Sequence, residues 1–486
     1  MNRTQHLTAT AAVILAAALG PWACSTNPVT GKQQLNLYSQ EQEIALGRQY
    51  HEQVVQQIGL YPDEELQRYV QRVGARLAAG GERPELPWTF RVVDDASVNA
   101  FALPGGFIYL TRGILTHFNS EAEMAAVLGH EIGHVTARHQ VNQMSKAQLT
   151  QVGLTLGMIL SPEARQYGDL ANLAGGLLFL KFGRDDERQA DDLGLRYLHD
   201  SQYPAEAMGE VFGLLARVSA KSEQGRLPGF LTTHPYPEER RERMETQYAG
   251  LPDSVASPSW QRQPYLQQLD GVVFGPDPRE GFFRGSRFYH PGLRFQLDAP
   301  EGWKGVNQKQ AVVWQSPRED ALLVLSLSQE RTVRQAARAF FNQQGVRSVG
   351  NFPVQPGSGN SLASTFYVAS QQNPLQGAVA FTEHGGRVFQ LLGFTRPNDW
   401  RSYADDVGRS MQSFRALTER RYFDVEPMRV DMVRVGSAMT LAEFDRRYPS
   451  SISLEDVALI NNMTPSTQLR TGQEVKRVRG FNPERE

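Results

Sequence analysis

The stretch His130-Glu131-Ile132-Gly133-His134 decides how this sequence is interpreted. It is an H-E-x-x-H pattern, which is short enough to arise by chance and therefore needs a helix around it. On a helix the two histidines lie one turn apart on the same face, so both imidazoles can bind one zinc ion. Glu131 then lies about 100° around the helix, beside the metal, where a carboxylate can act as a general base.

The residues before this motif carry the signals of a helix start. Ser120 stands three residues before Glu123, which is the S-x-x-E pattern of a capping box. The stretch 122–138 contains no proline and is rich in Ala, Glu, Met and Leu, which favour helices. The sequence therefore predicts that a helix over 122–138 presents the motif.

A zinc site with two histidines needs a third protein ligand, and Glu187 is the best candidate. It lies on a second, acidic helix predicted over 185–198, where the E-x-x-x-D spacing places Glu187 and Asp191 on one face. Glu187 can bind the metal while Asp191 accepts a hydrogen bond from a ligating histidine. His139 is the weaker candidate, because five residues beyond His134 turn it about 140° away from the ligand face.

These motifs resemble those of the gluzincin zinc metallopeptidase family that includes HtpX, the Ste-type CAAX prenyl proteases and the periplasmic BepA-type proteases. The resemblance covers residues 36–248 and includes the segment Asn-Ala-Phe-Ala-Leu-Pro-Gly-Gly-Phe-Ile-Tyr-Leu at 99–110. It implies one Zn²⁺ per chain. It also implies metal-binding roles for His130, His134 and Glu187, a basic role for Glu131, and a proton-handling or orienting role for Asp191.

In that family a segment such as 99–110 forms the edge strand beside the active site. The two glycines would turn the chain sharply, and 108–111 is strand-prone. An edge strand next to zinc can pair with an extended peptide through backbone hydrogen bonds alone, which predicts endopeptidase action on unfolded or looped chains. The residues assigned to this substrate strand are Asn99, Gly105, Gly106 and Phe107.

His234 lies in the element Thr-Thr-His-Pro-Tyr-Pro at 232–237, whose prolines favour an extended loop. Two roles stay open for this histidine. It can stabilise the tetrahedral oxyanion, or it can occupy the fourth zinc position in the resting enzyme and act as a latch. Arg240 follows, either as a bridge between the loop and core carboxylates or as a surface charge.

Two apolar stretches, 149–160 and 170–182, lie between the two ligand-bearing helices and predict a helical hairpin. Both are interrupted by Gly, Thr or Asn, and neither reaches the ~20 apolar residues that span a bilayer. A lid, a membrane-facing flap and ordinary core packing all remain open for this hairpin.

The N-terminus indicates export. Arg3 precedes an apolar run at 9–19, which predicts a signal peptide over residues 1–23. Cys24 is the only cysteine, so neither an internal disulfide nor a cysteine-built zinc site is available. Its position after the run resembles a lipoprotein cleavage site, with Cys24 acylated, although ordinary cleavage after residues 18–20 is the alternative. We expect a periplasmic protein tethered by a lipid to the outer membrane.

The 486 residues carry a formal net charge of −2, so there is no basic excess to bind nucleic acid. The resemblance implies a peptidase domain at 24–250. Composition sets it apart from a Pro- and Ser-rich linker at 251–270 and from an α+β domain at 271–418 that faintly resembles PsbP. A module at 430–480 resembles LysM over 433–478, which makes peptidoglycan a candidate partner, but the usual Asp is missing from its opening motif.

The predicted fold is multidomain: a mostly α, zincin-like peptidase domain with a small edge β-sheet, an α+β accessory domain and a small LysM-like domain. The predicted function is zinc-dependent hydrolysis of unfolded or misassembled envelope proteins. Two other readings are open. One is a catalytically inactive scaffold on the cell wall, and the other is a latched binder that holds barrel segments and rarely cleaves them.

Overall fold

The computed structural model describes residues 24–148, 182–221, 229–235, 237–248, 261–370, 373–483 and 485. The chain divides into two compact units. The first comprises Met1–Val272 with Val430–Arg477, and the second comprises Val273–Arg429 with Val478–Glu486. The predicted signal peptide and, apart from Phe182, the predicted apolar hairpin at 149–160 and 170–182 lie outside the described residues.

The first unit is largely helical up to residue 269. Its strands are β1 (Cys24–Thr26), β2 (Gln33–Leu35), β3 (Thr89–Val93), β4 (Ala100–Leu103) and β5 (Phe107–Thr111). Its helices are α1 (Gln40–Gln57), α2 (Glu64–Ala79), α3 (Arg112–His117), α4 (Glu121–Thr136), α5 (Arg184–Asp200), α6 (Glu206–Lys221), α7 (Gly229–Thr233), α8 (Pro237–Tyr248) and α9 (Arg262–Leu269).

Helix α4 carries the H-E-x-x-H motif and lies in the middle of this unit, with every residue from Ala122 to Thr136 buried. The start of α4 matches the predicted capping box of Ser120 and Glu123 only in part. The Ser120 side chain accepts a hydrogen bond from the Glu123 backbone nitrogen, as an N-cap does. The Glu123 carboxylate, however, accepts from the backbone nitrogen of Asn119 instead of that of Ser120. The start of α4 is therefore held by Ser120 together with the preceding connection.

The small sheet of the first unit has the strand order β3-β5-β4. Strand β5 is central because it pairs in parallel with β3 and antiparallel with β4. The predicted substrate strand is therefore corrected: the edge is β4, and Phe107 begins the central strand. Gly105 and Gly106 form the turn between them with φ values of +76° and +98°, which glycine adopts without strain.

The N-terminal hairpin of β1 and β2 pairs Cys24 with Leu35 in register. It is attached near the end of α4, since the side chain of Asn27 donates a hydrogen bond to the Ala137 carbonyl oxygen. At the other side, the last part of the predicted linker is helical and Tyr265 is fully buried. The prediction of a linker is therefore wrong for 262–269. Across the described part of the chain, no helix is long and apolar enough to cross a membrane.

The second unit is rich in strands. They are β6 (Phe282–Arg284), β7 (Arg287–His290), β8 (Phe295–Asp298), β9 (Lys304–Asn307), β10 (Ala311–Gln315), β11 (Ala321–Leu327), β12 (Val346–Asn351), β13 (Ser361–Val368), β14 (Leu375–His384), β15 (Arg387–Thr395) and β16 (Arg415–Ala416). Its helices are α10 (Val333–Phe341), α11 (Trp400–Gln412) and α12 (Arg420–Phe423).

A seven-stranded antiparallel sheet with the order β12-β13-β14-β15-β11-β10-β9 dominates this second unit, beside a four-stranded sheet β16-β8-β7-β6. Neighbouring residues of a strand face opposite sides. On β14, Ala378 and Ala380 pack in the same cluster as α11, whereas Val379 and Phe381 pack with α10. The two helices therefore cover opposite faces of the sheet. The multidomain prediction, with a helical first part and a β-rich later part, is confirmed.

The chain ends with β17 (Arg429–Arg434), β18 (Met439–Thr440), α13 (Leu441–Arg447), α14 (Leu454–Ile460), β19 (Gln468–Leu469) and β20 (Glu474–Arg479). Strand β17 pairs with β20, and β18 pairs with β19. Residues 430–477 belong to the same compact unit as the helical domain. The resemblance of this module to LysM stays a prediction.

Candidate metal centre

The two helices that carry the predicted ligands approach each other with almost no side chain between them. At Gly133 an added Cβ would lie 2.8 Å from the Ala190 carbonyl oxygen, and at Gly194 it would lie 2.9 Å from the His130 backbone nitrogen. Any larger residue at these positions would push α4 and α5 apart. The close contact brings the histidines of α4 and the acidic residues of α5 within reach of a single ion.

Four side chains converge in the interior of the first unit: His130, His134, Glu187 and His234. The Nε2 atom of His130 lies 3.0 Å from His134 Nε2 and 3.1 Å from His234 Nδ1. The Oε1 atom of Glu187 lies 2.9 Å from His234 Nδ1 and 3.5 Å from His134 Nε2. All four side chains are at most 2% exposed.

The arrangement fits zinc. Atoms that bind zinc tetrahedrally at ~2.0–2.1 Å are separated from one another by roughly 3.3 Å. The four separations given above run from 2.9 Å to 3.5 Å and so bracket that value, and the ligand atoms of all four side chains lie within 4.8 Å of one another. Three imidazoles and one carboxylate are also donors that zinc accepts where cysteine is absent. The structure thus brings together the three predicted ligands and adds His234 as a fourth.

Asp191 and Arg240 form a buried network behind the ligands. Asp191 Oδ1 lies 3.0 Å from His130 Nδ1, so this nitrogen can donate and leave Nε2 free for a metal. Arg240 donates to both oxygens of Asp191, at 3.0 Å and 2.6 Å, and its Nη1 lies 2.8 Å from Glu187 Oε2. Burial opposes the charge of Asp191, but the Arg240 guanidinium prevails and lowers the pKa of Asp191 to about 2. Arg240 is a bridge between α8 and α5, not a surface charge.

His139 has a role that helical extrapolation could not reveal. Helix α4 ends at Thr136, and Arg138 adopts a left-handed φ of +62°, so the chain turns back towards the site. His139 Nδ1 then lies 2.9 Å from His134 Nδ1, and its Nε2 lies 3.0 Å from Gln189 Oε1. His139 is not part of the ligand cluster, but it holds the imidazole of His134 in place.

Glu131 stands beside the cluster and not within it. Its side chain is 1% exposed, and burial raises the pKa of Glu131. Its Oε1 atom has no hydrogen-bond partner in the part of the chain that the structure describes, and it lies 3.4 Å from His234 Nε2. A buried carboxylate oxygen without a partner is costly, so this atom is poised to accept a proton from whatever enters the site.

The short helix α7 positions His234. The backbone nitrogen of His234 donates to the Phe230 carbonyl oxygen, and the backbone nitrogen of Phe230 donates to the Val98 carbonyl oxygen just before β4. The Phe230 ring is stacked on His234 with centroids 4.5 Å apart, and the Phe182 ring lies 4.0 Å from that of His134. These two phenylalanines exclude water from the imidazoles, and no motif in the sequence indicated them.

Of the predicted substrate residues, Asn99 lies next to this segment. Asn99 immediately precedes β4, and a Cβ added at Gly229, the first residue of α7, would lie 3.1 Å from Asn99 Cβ. Strand β4 itself lies beside both α4 and α7. The turn of Gly105 and Gly106 is at the far end of β4, where it contacts α1 at Ile44. The edge strand and the His234 segment are therefore neighbours.

Residues 64–247 match the model of Peptidase family M48, and this range includes all four converging side chains and Glu131. The likeness to peptidase family M48 rests on this part of the chain. The resemblance to the family of the BepA-type proteases is thereby confirmed. The match spans α2 to α8, and residues from 248 onwards lie outside it.

Part of this chain is also similar to known proteases. A putative beta-barrel assembly-enhancing protease of Vibrio cholerae serotype O1 is 34% identical over 211 residues, which are 41% of this chain and 43% of the relative. The beta-barrel assembly-enhancing protease of Escherichia coli K12 is 31% identical over 227 residues, which are 45% of this chain and 46% of the relative. The mitochondrial metalloendopeptidase OMA1 of Arabidopsis thaliana is 33% identical over 175 residues, which are 36% of this chain and 34% of the relative. The chain thus spans less than half the length of these relatives.

Among solved structures, cyanobacterial PsbP from Synechocystis sp. PCC 6803 is similar over 28% of this chain and 95% of its own, with 16% identity and a TM-score of 0.23. A likeness this weak carries no argument. The PsbP-like character of residues 271–418 stays a prediction.

Proposed function

We propose that this chain is a zinc metalloendopeptidase that cleaves unfolded or misassembled proteins of the bacterial envelope. The observation that carries the proposal is the convergence of His130, His134 and Glu187 on one point with Glu131 beside it. The match of residues 64–247 to peptidase family M48 supports the same chemistry. The relatives named as proteases support peptide-bond hydrolysis as the reaction.

Each residue of the site has a separate role in hydrolysis. His130, His134 and Glu187 would hold the zinc ion, which when bound polarises the scissile carbonyl and lowers the pKa of water towards ~7. Glu131 accepts a proton from the attacking water and passes it to the leaving amine. Asp191, itself held by Arg240, fixes the ring of His130. Burial favours the neutral form of both carboxylates, but His234 and Arg240 lower the pKa of Glu187, and Arg240 lowers the pKa of Asp191.

Substrate recognition is assigned to β4. Its outer edge can pair with an extended peptide through backbone groups, which tolerates many side chains and requires an unfolded or looped substrate. Asn99 at its start and the glycine turn at its end delimit the strand. This geometry supports endopeptidase action. The names of the bacterial relatives, which refer to beta-barrel assembly, support envelope proteins as substrates.

The place of action is the periplasm in this proposal. The apolar run at 9–19 would direct export, and acylation of Cys24 would tether the protein to the outer membrane. The lipid is then the only membrane anchor, and residues 433–478, as a LysM-like module, would add an affinity for peptidoglycan.

A second candidate function is a latched, substrate-holding protein that cleaves rarely. The position of His234 favours it. Its Nδ1 atom is within the ligand cluster and its Nε2 atom faces Glu131 Oε1, so the ring fills the space where an attacking water would stand. In this account His234 must leave before cleavage begins. The oxyanion-stabilising role is the alternative for the same side chain.

Removing the metal tests the proposed activity. We expect dialysis of residues 24–486 against a chelator to abolish casein hydrolysis. One equivalent of Zn²⁺ should restore it, whereas Mg²⁺ should not, because imidazole ligands suit zinc and not magnesium. Circular dichroism before and after dialysis controls for unfolding. Casein hydrolysis that survives complete removal of zinc from the folded protein would refute a zinc peptidase.

A further inference from the structure

The connection between α3 and α4 is bound by a residue that lies more than 350 positions later in the chain. The ammonium group of Lys476 donates to the carbonyl oxygens of Thr116, at 3.0 Å, and Phe118, at 2.7 Å. Lys476 belongs to β20, and its side chain is completely buried. Lysine is rarely buried in this way, so the site needs a physical reason.

The reason lies at the end of α3 and the start of α4. Thr116 and Phe118 are at the C-terminal end of α3, where carbonyl groups have no partner within the helix and a cation is favoured. Glu123, in the first turn of α4, is 5% exposed and interacts electrostatically with Lys476. Its carboxylate also accepts a hydrogen bond from the backbone nitrogen of Asn119. Lys476 therefore joins the end of one helix to the start of the next.

The rest of the terminal module supports this contact. Asp456 on α14 forms an ion pair with Lys221 at the end of α6. Asn462, just beyond α14, accepts from Arg217 and donates to Glu210, both on α6. These pairs are exposed and each contributes little. The buried lysine adds hydrogen bonds that are shielded from water.

From this we propose that the module at 430–477 supports the peptidase site through Lys476, which is a positioning residue for α4. Helix α4 places His130 two turns beyond Glu123, about 10.5 Å along the axis. A helix whose first turn is held firmly presents His130 and His134 in one position, and a loosened first turn does not. The inference rests on the proposed peptidase function, but it concerns the module that resembles LysM and assigns it a task inside the enzyme.

The test compares Lys476→Met with wild type in residues 24–486. We expect kcat for a fluorogenic casein peptide to fall about tenfold or more, with KM within twofold, since β4 is unchanged. Hydrogen exchange of amides 121–127 should become at least about tenfold faster, with no such change in α2. Lys476→Arg keeps the charge and the hydrogen-bond donors, so it should keep most of the wild-type kcat and most of the wild-type protection of amides 121–127. Arg470→Met, an exposed cation of the same module, should behave as wild type.

Several outcomes would overturn the proposal. One is a folded Lys476→Met variant with wild-type kcat and wild-type exchange at 121–127. Another is exchange that rises equally throughout the first unit, which would indicate general destabilisation. If Lys476→Met does not fold, Lys221→Met takes its place, because it weakens the surface contact between the terminal module and α6. Amide exchange at 121–127 should then still become about twofold faster. Unchanged exchange in Lys221→Met would overturn the proposal. A wild type without peptidase activity would refute the proposed function, while the exchange data would still decide about Lys476.

Discussion

Replacing Glu131 with glutamine should lower kcat for casein hydrolysis by about 10²–10⁴-fold and leave one zinc bound per chain. Glutamine keeps the size of the side chain but cannot accept a proton from water. Glu131 is outside the ligand cluster, and its Oε1 atom has no partner within the described residues, so the substitution removes the base without removing a ligand. The loss corresponds to ~2.7–5.5 kcal/mol of transition-state stabilisation.

Glu238→Gln is a suitable control, because Glu238 is an exposed carboxylate in the first turn of α8, close in sequence to His234. Its kcat should equal that of wild type. Measuring kcat, KM and zinc content together separates the possible causes of a loss. A Glu131→Gln variant that still hydrolyses casein at the wild-type rate would exclude Glu131 as the base. A loss of zinc would show instead that Glu131 helps to bind the metal.

His234→Ala should raise casein hydrolysis by about tenfold or more, which corresponds to a latch stabilised by at least ~1.4 kcal/mol. His234 lies 2.9 Å from Glu187 Oε1 and 3.1 Å from His130 Nε2, at the fourth ligand position. It also lies 3.4 Å from Glu131 Oε1, where an attacking water would be activated. Alanine at this position opens the space without touching the other three ligands.

Thr232→Ala is the matched control for His234→Ala. Thr232 is an exposed residue of the same short helix α7, and its hydroxyl donates a hydrogen bond within that helix, to the Gly229 carbonyl oxygen. Its activity should stay at the wild-type level. A fall in hydrolysis in His234→Ala would favour the oxyanion-stabilising role, and no change would remove His234 from the mechanism.

Local patterns predicted much of the site. Helix α4, its N-cap at Ser120 and the acidic helix that carries Glu187 and Asp191 all follow from short-range signals, and each extends to within two residues of the expected bounds. The spacing of residues on a helix is set by its geometry, so one turn of separation translates directly into a shared face. For this reason the three metal ligands could be named before their distances were known.

Other features depend on contacts that sequence spacing does not encode. The left-handed turn at Arg138, which brings His139 back to His134, breaks the helical extrapolation. The central place of β5 results from its parallel pairing with β3, which no local pattern reveals. The buried position of Lys476 depends on the packing of two segments that are far apart in sequence. Each of these follows from tertiary packing, which overrides local preference.

The most direct test of the account is the zinc content of purified residues 24–486, measured by elemental analysis for wild type, Glu187→Ala and Asp185→Ala. Asp185 is a fully exposed carboxylate on the same helix and serves as the control. We predict one zinc per chain in wild type and in Asp185→Ala. In Glu187→Ala, zinc and casein hydrolysis should be lost together, because the cluster loses its carboxylate and with it the negative charge that faces the cation. Full retention of zinc and activity by Glu187→Ala would contradict the assignment of the third ligand.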